Sequence, residues 1–156
     1  MGRYYKRRFY RSGVSGRDKY SVEQRAFLLS TDSTTGNGGE VVVSATTLQG
    51  MRKVKHLTVS MAQTSSTGSA SAVYWALVYV PQGTTASPLT VGGSSLYEPN
   101  QFVMSCGVFD FDAGPCRVHC PLSRNLNSGD NISLIVHTDS GQQFFDCCVR
   151  YAITLQ

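Results

Sequence analysis

Charge is scarce in these 156 residues: Asp, Glu, Lys and Arg together make up only 15%. With hydrophobic residues at 41%, that balance excludes a largely disordered chain. No apolar run approaches the roughly 20 residues that a membrane helix needs, so no membrane partner is expected. Ala-Glu-Lys-Leu runs at helical spacing are also missing, whereas Ser, Thr, Gly, Val and Tyr abound, which points to sheet. Neither a G-x-x-x-x-G-K phosphate loop nor a G-x-G-x-x-G fingerprint is present. No Ser-His-Asp, Cys-His or paired-carboxylate arrangement stands out, and no motif surrounds His56, His119 or His137. The expectation is a protein that is not an enzyme.

Five cysteines occur, at 106, 116, 120, 147 and 148. The number is odd, and residues 1–19 are too polar for a signal-peptide core, so a reducing compartment with free buried thiols is expected. Cys116, His119 and Cys120 invite a zinc reading. On a strand, however, residues 116 and 120 point one way and residue 119 the other, and Cys147 and Cys148 also diverge. Tetrahedral zinc needs convergent ligands, so buried structural thiols are the better reading and no resident cofactor is expected.

The basic residues are unevenly placed. Residues 1–19 hold Arg3, Lys6, Arg7, Arg8, Arg11, Arg17 and Lys19 against Asp18 alone, a balance of +6. The remaining 137 residues hold seven basic and nine acidic side chains, a balance of −2. A basic arm (1–19) on a mildly acidic folded domain (20–156) is an interaction-arm pattern. Within it Arg3, Lys6, Arg7, Arg8 and Arg11 interleave with Tyr4, Tyr5, Phe9 and Tyr10. Cations release counterions from phosphates, and rings stack on unpaired bases, so the mixture suits single-stranded nucleic acid. The same run also fits a solvated tail or a nuclear-localisation address. A second basic patch, Arg52, Lys53, Lys55 and His56, opens a strand pattern and is a further candidate contact, with residues divided between two faces.

From Tyr20 the chain alternates strand patterns with turn chemistry. The patterns cover 20–30, 40–47, 51–62, 71–80, 101–109, 115–120, 131–137 and 144–155, with 121–130 rich in turns. Leu57, Val59 and Met61 share one face of the third, with Val54, His56, Thr58 and Ser60 opposite. The fourth is apolar on both faces, with Trp75 and Tyr74 pointing opposite ways, one face for the core and one for a partner subunit. In the last, Phe145, Cys147, Val149, Tyr151, Ile153 and Leu155 form an apolar face. The expected fold is all-β: a single eight-stranded antiparallel jelly roll, a double-sheet sandwich, behind a basic N-terminal arm. Strand count alone also admits an immunoglobulin-like sandwich.

Jelly-roll connections alternate between ends, so loops 31–39, 63–70, 110–114 and 138–143 should gather at one of them. That end would collect Asp32, Asp110, Asp112 and Asp139, with Arg52, Lys53 and Arg124 at the other. Oxygen-rich clusters suit calcium, which makes Asp110 and Asp112 a candidate divalent-cation site at a subunit interface. The competing reading is that these are turn-forming residues bonding their own backbone.

Two segments, Ser94-Ser95-Leu96-Tyr97-Glu98-Pro99-Asn100-Gln101-Phe102-Val103 and Pro121-Leu122-Ser123-Arg124-Asn125-Leu126-Asn127-Ser128-Gly129-Asp130, resemble parts of capsid proteins of small circular Rep-encoding single-stranded DNA viruses. The plan of a short Arg/Tyr-rich start before one jelly roll is also similar to the circovirus and nanovirus type. The arm is shorter and less Arg-dense than is usual in circoviruses. The resemblance implies a virion protein, with roughly sixty identical copies closing a T=1 icosahedral shell around single-stranded DNA. An RNA or satellite-virus coat keeps the architecture and changes the cargo. A non-assembling single-strand-binding module would instead place aromatics on an exposed sheet face.

Overall fold

The computed structural model describes residues 20–66, 72–88, 102–110, 113–139 and 142–154. Nine strands account for most of them: β1 (Tyr20–Ser30), β2 (Asn37–Val43), β3 (Arg52–Ser66), β4 (Ala72–Val80), β5 (Val103–Asp110), β6 (Cys116–Cys120), β7 (Arg124–Leu126), β8 (Asn131–Thr138) and β9 (Gln143–Thr154). They form two antiparallel sheets. One runs β1-β9-β3-β6, with β7 also paired to β3; the other runs β2-β8-β4-β5. Strands β1 to β4 thus alternate between the two layers, β4 pairs with β5 within one, and the first strand pairs with the last, which is the jelly-roll arrangement. The ninth strand is the departure from eight. Arg124–Leu126, inside the stretch read as turns, pairs with Arg52–Val54 because Leu126 seals the core there, fully buried.

Alternation builds the core. In β9 the side chains of Phe145, Cys147, Val149, Tyr151 and Ile153 point inward and are buried, as their period of two requires. They meet Val73, Trp75 and Leu77 of β4 and Ile132, Leu134 and Val136 of β8 from the other sheet. Trp75 faces this core, and half-buried Tyr74 lies on the opposite face beside His137. Trp75 also sets the sequence across from it. Its register partner on β5 is Gly107, where a Cβ would come within 2.9 Å of the indole.

The outer face of β4 is apolar as expected, with Ala76, Val78 and Val80 packed beside Ile135. Part of its cover comes from the chain itself, since Ala86, just beyond β4, packs onto this cluster.

The alternation of β3 departs from expectation. Lys55 pairs with Ala152 but Thr58 with Arg150, so His56 and Leu57 together oppose Tyr151. This is a β-bulge, and His56 within it takes a left-handed φ of 54°. The bulge inverts the phase. Val54, expected opposite Leu57, shares the core with it, both essentially unexposed. β2 begins at Asn37 and ends at Val43, earlier than the pattern 40–47, and β3 runs on to Ser66, into the stretch read as loop.

Register also fixes the two ends. Ser30 pairs with Phe144, Asn37 with His137, Ser66 with Gln143 and Ala72 with Asp110, so connections 31–36, 67–71, 111–115 and 139–142 leave from one end. Val80 pairs with Asn131 and Arg52 with Leu126 at the other.

Candidate nucleic-acid interface

Of the fourteen Lys and Arg residues, seven belong to the arm; the other seven are Arg25, Arg52, Lys53, Lys55, Arg117, Arg124 and Arg150. All seven stand on β1, β3, β6, β7 or β9, which is to say on one sheet. That sheet's acids are Glu23 and Asp146, giving +5; the other sheet holds Glu40 and Asp110 and no cation, giving −2. The sandwich is electrically two-sided.

Registry divides these cations by face. Val149 and Tyr151 point inward, so Arg150 points outward, and its neighbour Thr58 brings His119 to the same face. Arg117, two residues before His119, is outward too, and both are exposed. Lys53 and Lys55 flank buried Val54 and are therefore outward and half-buried. The bulge delivers exposed His56 to the same side, where it lines a depression of about 320 Å3 with Val22, Thr58, Arg117, His119 and Arg150. The Thr58 hydroxyl and His119 Nδ1 share a 3.0 Å hydrogen bond that fixes the ring.

The remaining three cations turn away from this face. Arg25 donates to the Val41 carbonyl at 2.7 Å and to Glu40 at 2.8 Å, tying β1 to β2. With both partners well exposed, that ion pair is worth about 0–1 kcal/mol. Arg52 shares the inward face of Leu126 and donates to the Ser44 carbonyl at 3.0 Å. Arg124 lies over the Tyr79 ring at the rim.

Of the sequence candidates, then, Lys53 and Lys55 stand on the exposed basic face and Arg52 is spent on structure. Arg3, Tyr4, Tyr5, Lys6, Arg7, Arg8, Phe9, Tyr10, Arg11, Arg17 and Lys19 lie outside the described residues. The chain that follows them enters at Tyr20, whose ring sits 4.3 Å from Lys55 Nζ at the corner of this same sheet. Sequence reading missed Arg117 and Arg150. Outward alternation against the apolar set of β9 is the signal that would have found Arg150.

The acidic end resolves differently. Asp32 Oδ1 accepts from the Thr34 and Thr35 backbone amides at 2.8 and 2.9 Å and from the Thr35 hydroxyl, closing its own turn. The Thr35 and Thr34 amides hold its carboxyl below the usual range. Asp110 ends β5, and Asp112 lies outside the described residues. Among the described residues no three His, Cys, Asp or Glu side chains gather where they could hold a metal.

The thiols divide as alternation requires. Cys120 and Cys147 are buried and Cys116 and Cys148 half-buried, but Cys106 is exposed, against the expectation of buried thiols; His119 is exposed on the face opposite Cys120. Burial raises the Cys116 and Cys120 thiols. It pushes Cys147 up to about 12, helped by the charges of Asp146 and Cys148.

No protein-family model matches the chain, and no curated protein matches it in sequence. Among solved structures, a chain in the three-dimensional structure of Cocksfoot mottle virus is similar over 87% of this chain and 95% of its own, at 9% identity and a TM-score of 0.49.

Proposed function

We propose that this chain is a viral coat subunit: about sixty copies close a small icosahedral shell around single-stranded nucleic acid. The observation that carries the reading is the segregation of charge. Every Lys and Arg of the folded domain stands on one sheet, and the basic arm joins at that sheet's corner. A subunit built so can turn its cationic face and arm to a packaged polyanion and its mildly acidic sheet outward. DNA is the proposed cargo, on the resemblance of 94–103 and 121–130 to capsid segments of small circular DNA viruses. Assembly in the host nucleus, through an import receptor that reads the arm, belongs to the same proposal.

A non-assembling single-strand-binding module would rely on rings across its binding face. Among the described residues the basic face offers Tyr20, already covered by Lys55, and half-buried Phe144. The test is electron microscopy and sizing of the full chain after expression, followed by DNase or RNase digestion of the nucleic acid extracted from particles. Closed shells with DNase-sensitive contents are expected. RNase-sensitive contents would change the cargo; monomers or dimers alone would overturn the coat reading.

A further inference from the structure

The basic face contains one depression in which cations converge without a partner. Gln24, Arg150, Thr58 and His119 form a continuous cross-strand row over β1, β9, β3 and β6. Arg117 stands in the next row, opposite Ser60. β9 and β6 flank β3 at about 10 Å from each other, so Arg150 and Arg117 stand on either side of the same hydroxyl-bearing strand, and both line the depression with Thr58. The bulge adds His56 from within β3 itself. Neither Arg117 nor Arg150 has a carboxylate within ion-pair distance among the described residues. Asp146, the acid of this face, sits four residues from Arg150 along β9, about 13 Å away. Like charges gathered on neighbouring strands destabilise a sheet. A bound anion removes that cost.

We propose that this depression is a phosphate subsite, seating one backbone phosphodiester of single-stranded nucleic acid between Arg117 and Arg150. Thr58 and the two imidazoles line the seat. The guanidinium groups supply forked donors that match phosphate oxygens, a geometry that lysine does not reproduce. Lys55 and Lys53 continue from it along β3, where five residues from Thr58 to Lys53 span about 16 Å. The strand would therefore run along β3 toward the corner where the arm enters, with the arm holding its continuation. The inference rests on the packaging reading for its ligand and on the local geometry for its seat.

The test measures binding of a fluorescein-labelled thymidine oligonucleotide to the full chain across a salt series, for wild type, the pair Arg117→Gln with Arg150→Gln, and the pair Arg117→Lys with Arg150→Lys. All three keep the arm, and Trp75 fluorescence reports that each is folded. Loss of the one phosphate contact lowers the slope of log K against log salt by about 0.7 for a single strand, and the lysine pair should recover most of that slope with weaker affinity. An unchanged slope in the glutamine pair overturns the subsite. In parallel, inorganic phosphate is titrated while the His56 and His119 ring signals are followed by NMR. If the wild type holds no oligonucleotide, the packaging reading falls and this second arm decides the seat. Ring shifts present in wild type and missing in the glutamine pair support a free-phosphate site, and no shift in wild type overturns it.

Discussion

The guanidinium of Arg124 lies 4.1 Å above the centroid of the Tyr79 ring, and the hydroxyl of that ring donates a 2.7 Å hydrogen bond to Asp130. Asp130 is only 4% exposed and also accepts from the Asn127 and Gln82 amides at 2.8 and 3.0 Å. One carboxylate thus ties β4 and the turn after it to the turn between β7 and β8, and the ring it holds carries the cation of β7.

Replacing Asp130 with Asn should therefore cost about 1.5–3 kcal/mol, the worth of a hydrogen bond to a charged group. The amide puts donors against donors, and Tyr79→Phe, which removes one bond, should cost less. Burial works against ionisation of Asp130, but the donors Tyr79, Asn127 and Gln82 outweigh it and lower its pKa. A carboxyl depressed on folding stabilises the native state above its unfolded pKa of about 3.9, and that stability is lost as pH falls through the folded value. Urea unfolding between neutral pH and pH 3 should show a steeper acid loss in wild type than in Asp130→Asn; parallel curves would contradict this role.

Gly107→Ala should destabilise through Trp75. The new methyl falls 2.9 Å from the indole Cζ2 and 3.1 Å from Nε1, and a packed core resists the shift needed, at about 1–3 kcal/mol. Trp75→Phe shortens the ring, so the alanine should cost less in that background. A double-mutant cycle of melting temperatures measures the coupling, and strict additivity would show that the indole is free to move. Trp75→Ala should be worse than either, at about 3–5 kcal/mol.

What the sequence made legible were features that repeat. The alternation of Phe145 to Ile153, the two-faced apolar strand around Trp75 and the concentration of charge in the arm all persist over several residues. The bulge at His56 and Leu57 is a single extra residue, and a period-two pattern has no symbol for it, so alternation sets Val54 opposite Leu57 where the structure buries both. β7 is three residues long, too short for any period, and exists because Leu126 completes the core against β3. Arg117 and Arg150 stand 33 positions apart and become neighbours only because β6 and β9 both flank β3. Asp130 read as one more turn residue, since its burial depends on Tyr79 arriving from another strand.

The bulge itself is testable at His56. At φ 54° a branched side chain crowds the backbone, so His56→Val should lose about 1–2 kcal/mol. His56→Gly, which accepts that φ freely, should be neutral or slightly stabilising despite its extra unfolded-state entropy. Chemical denaturation distinguishes them; a valine variant as stable as the glycine variant would mean that β3 can shed the extra residue and re-register. Re-registry would carry Leu57 out of the core, so a stable valine variant should also show altered near-ultraviolet dichroism.

Deleting residues 2–11 separates binding from folding. The nine strands begin at Tyr20, and the core contacts described involve no residue before it, so the truncated chain should keep the thermal transition of the full one. Its nucleic-acid content should fall sharply, because Arg3, Lys6, Arg7, Arg8 and Arg11 leave together with the rings of Tyr4, Tyr5, Phe9 and Tyr10. Five lost cations should flatten the salt dependence by up to about 3.5 in slope on a single strand. Binding that survives should then depend on Lys53, Lys55, Arg117 and Arg150, so charge removal on the sheet should matter more in the truncated chain than in the full one. Equal packaging by the two chains, measured as the ratio of absorbance at 260 and 280 nm in purified particles, would assign the work to the sheet and not to the arm.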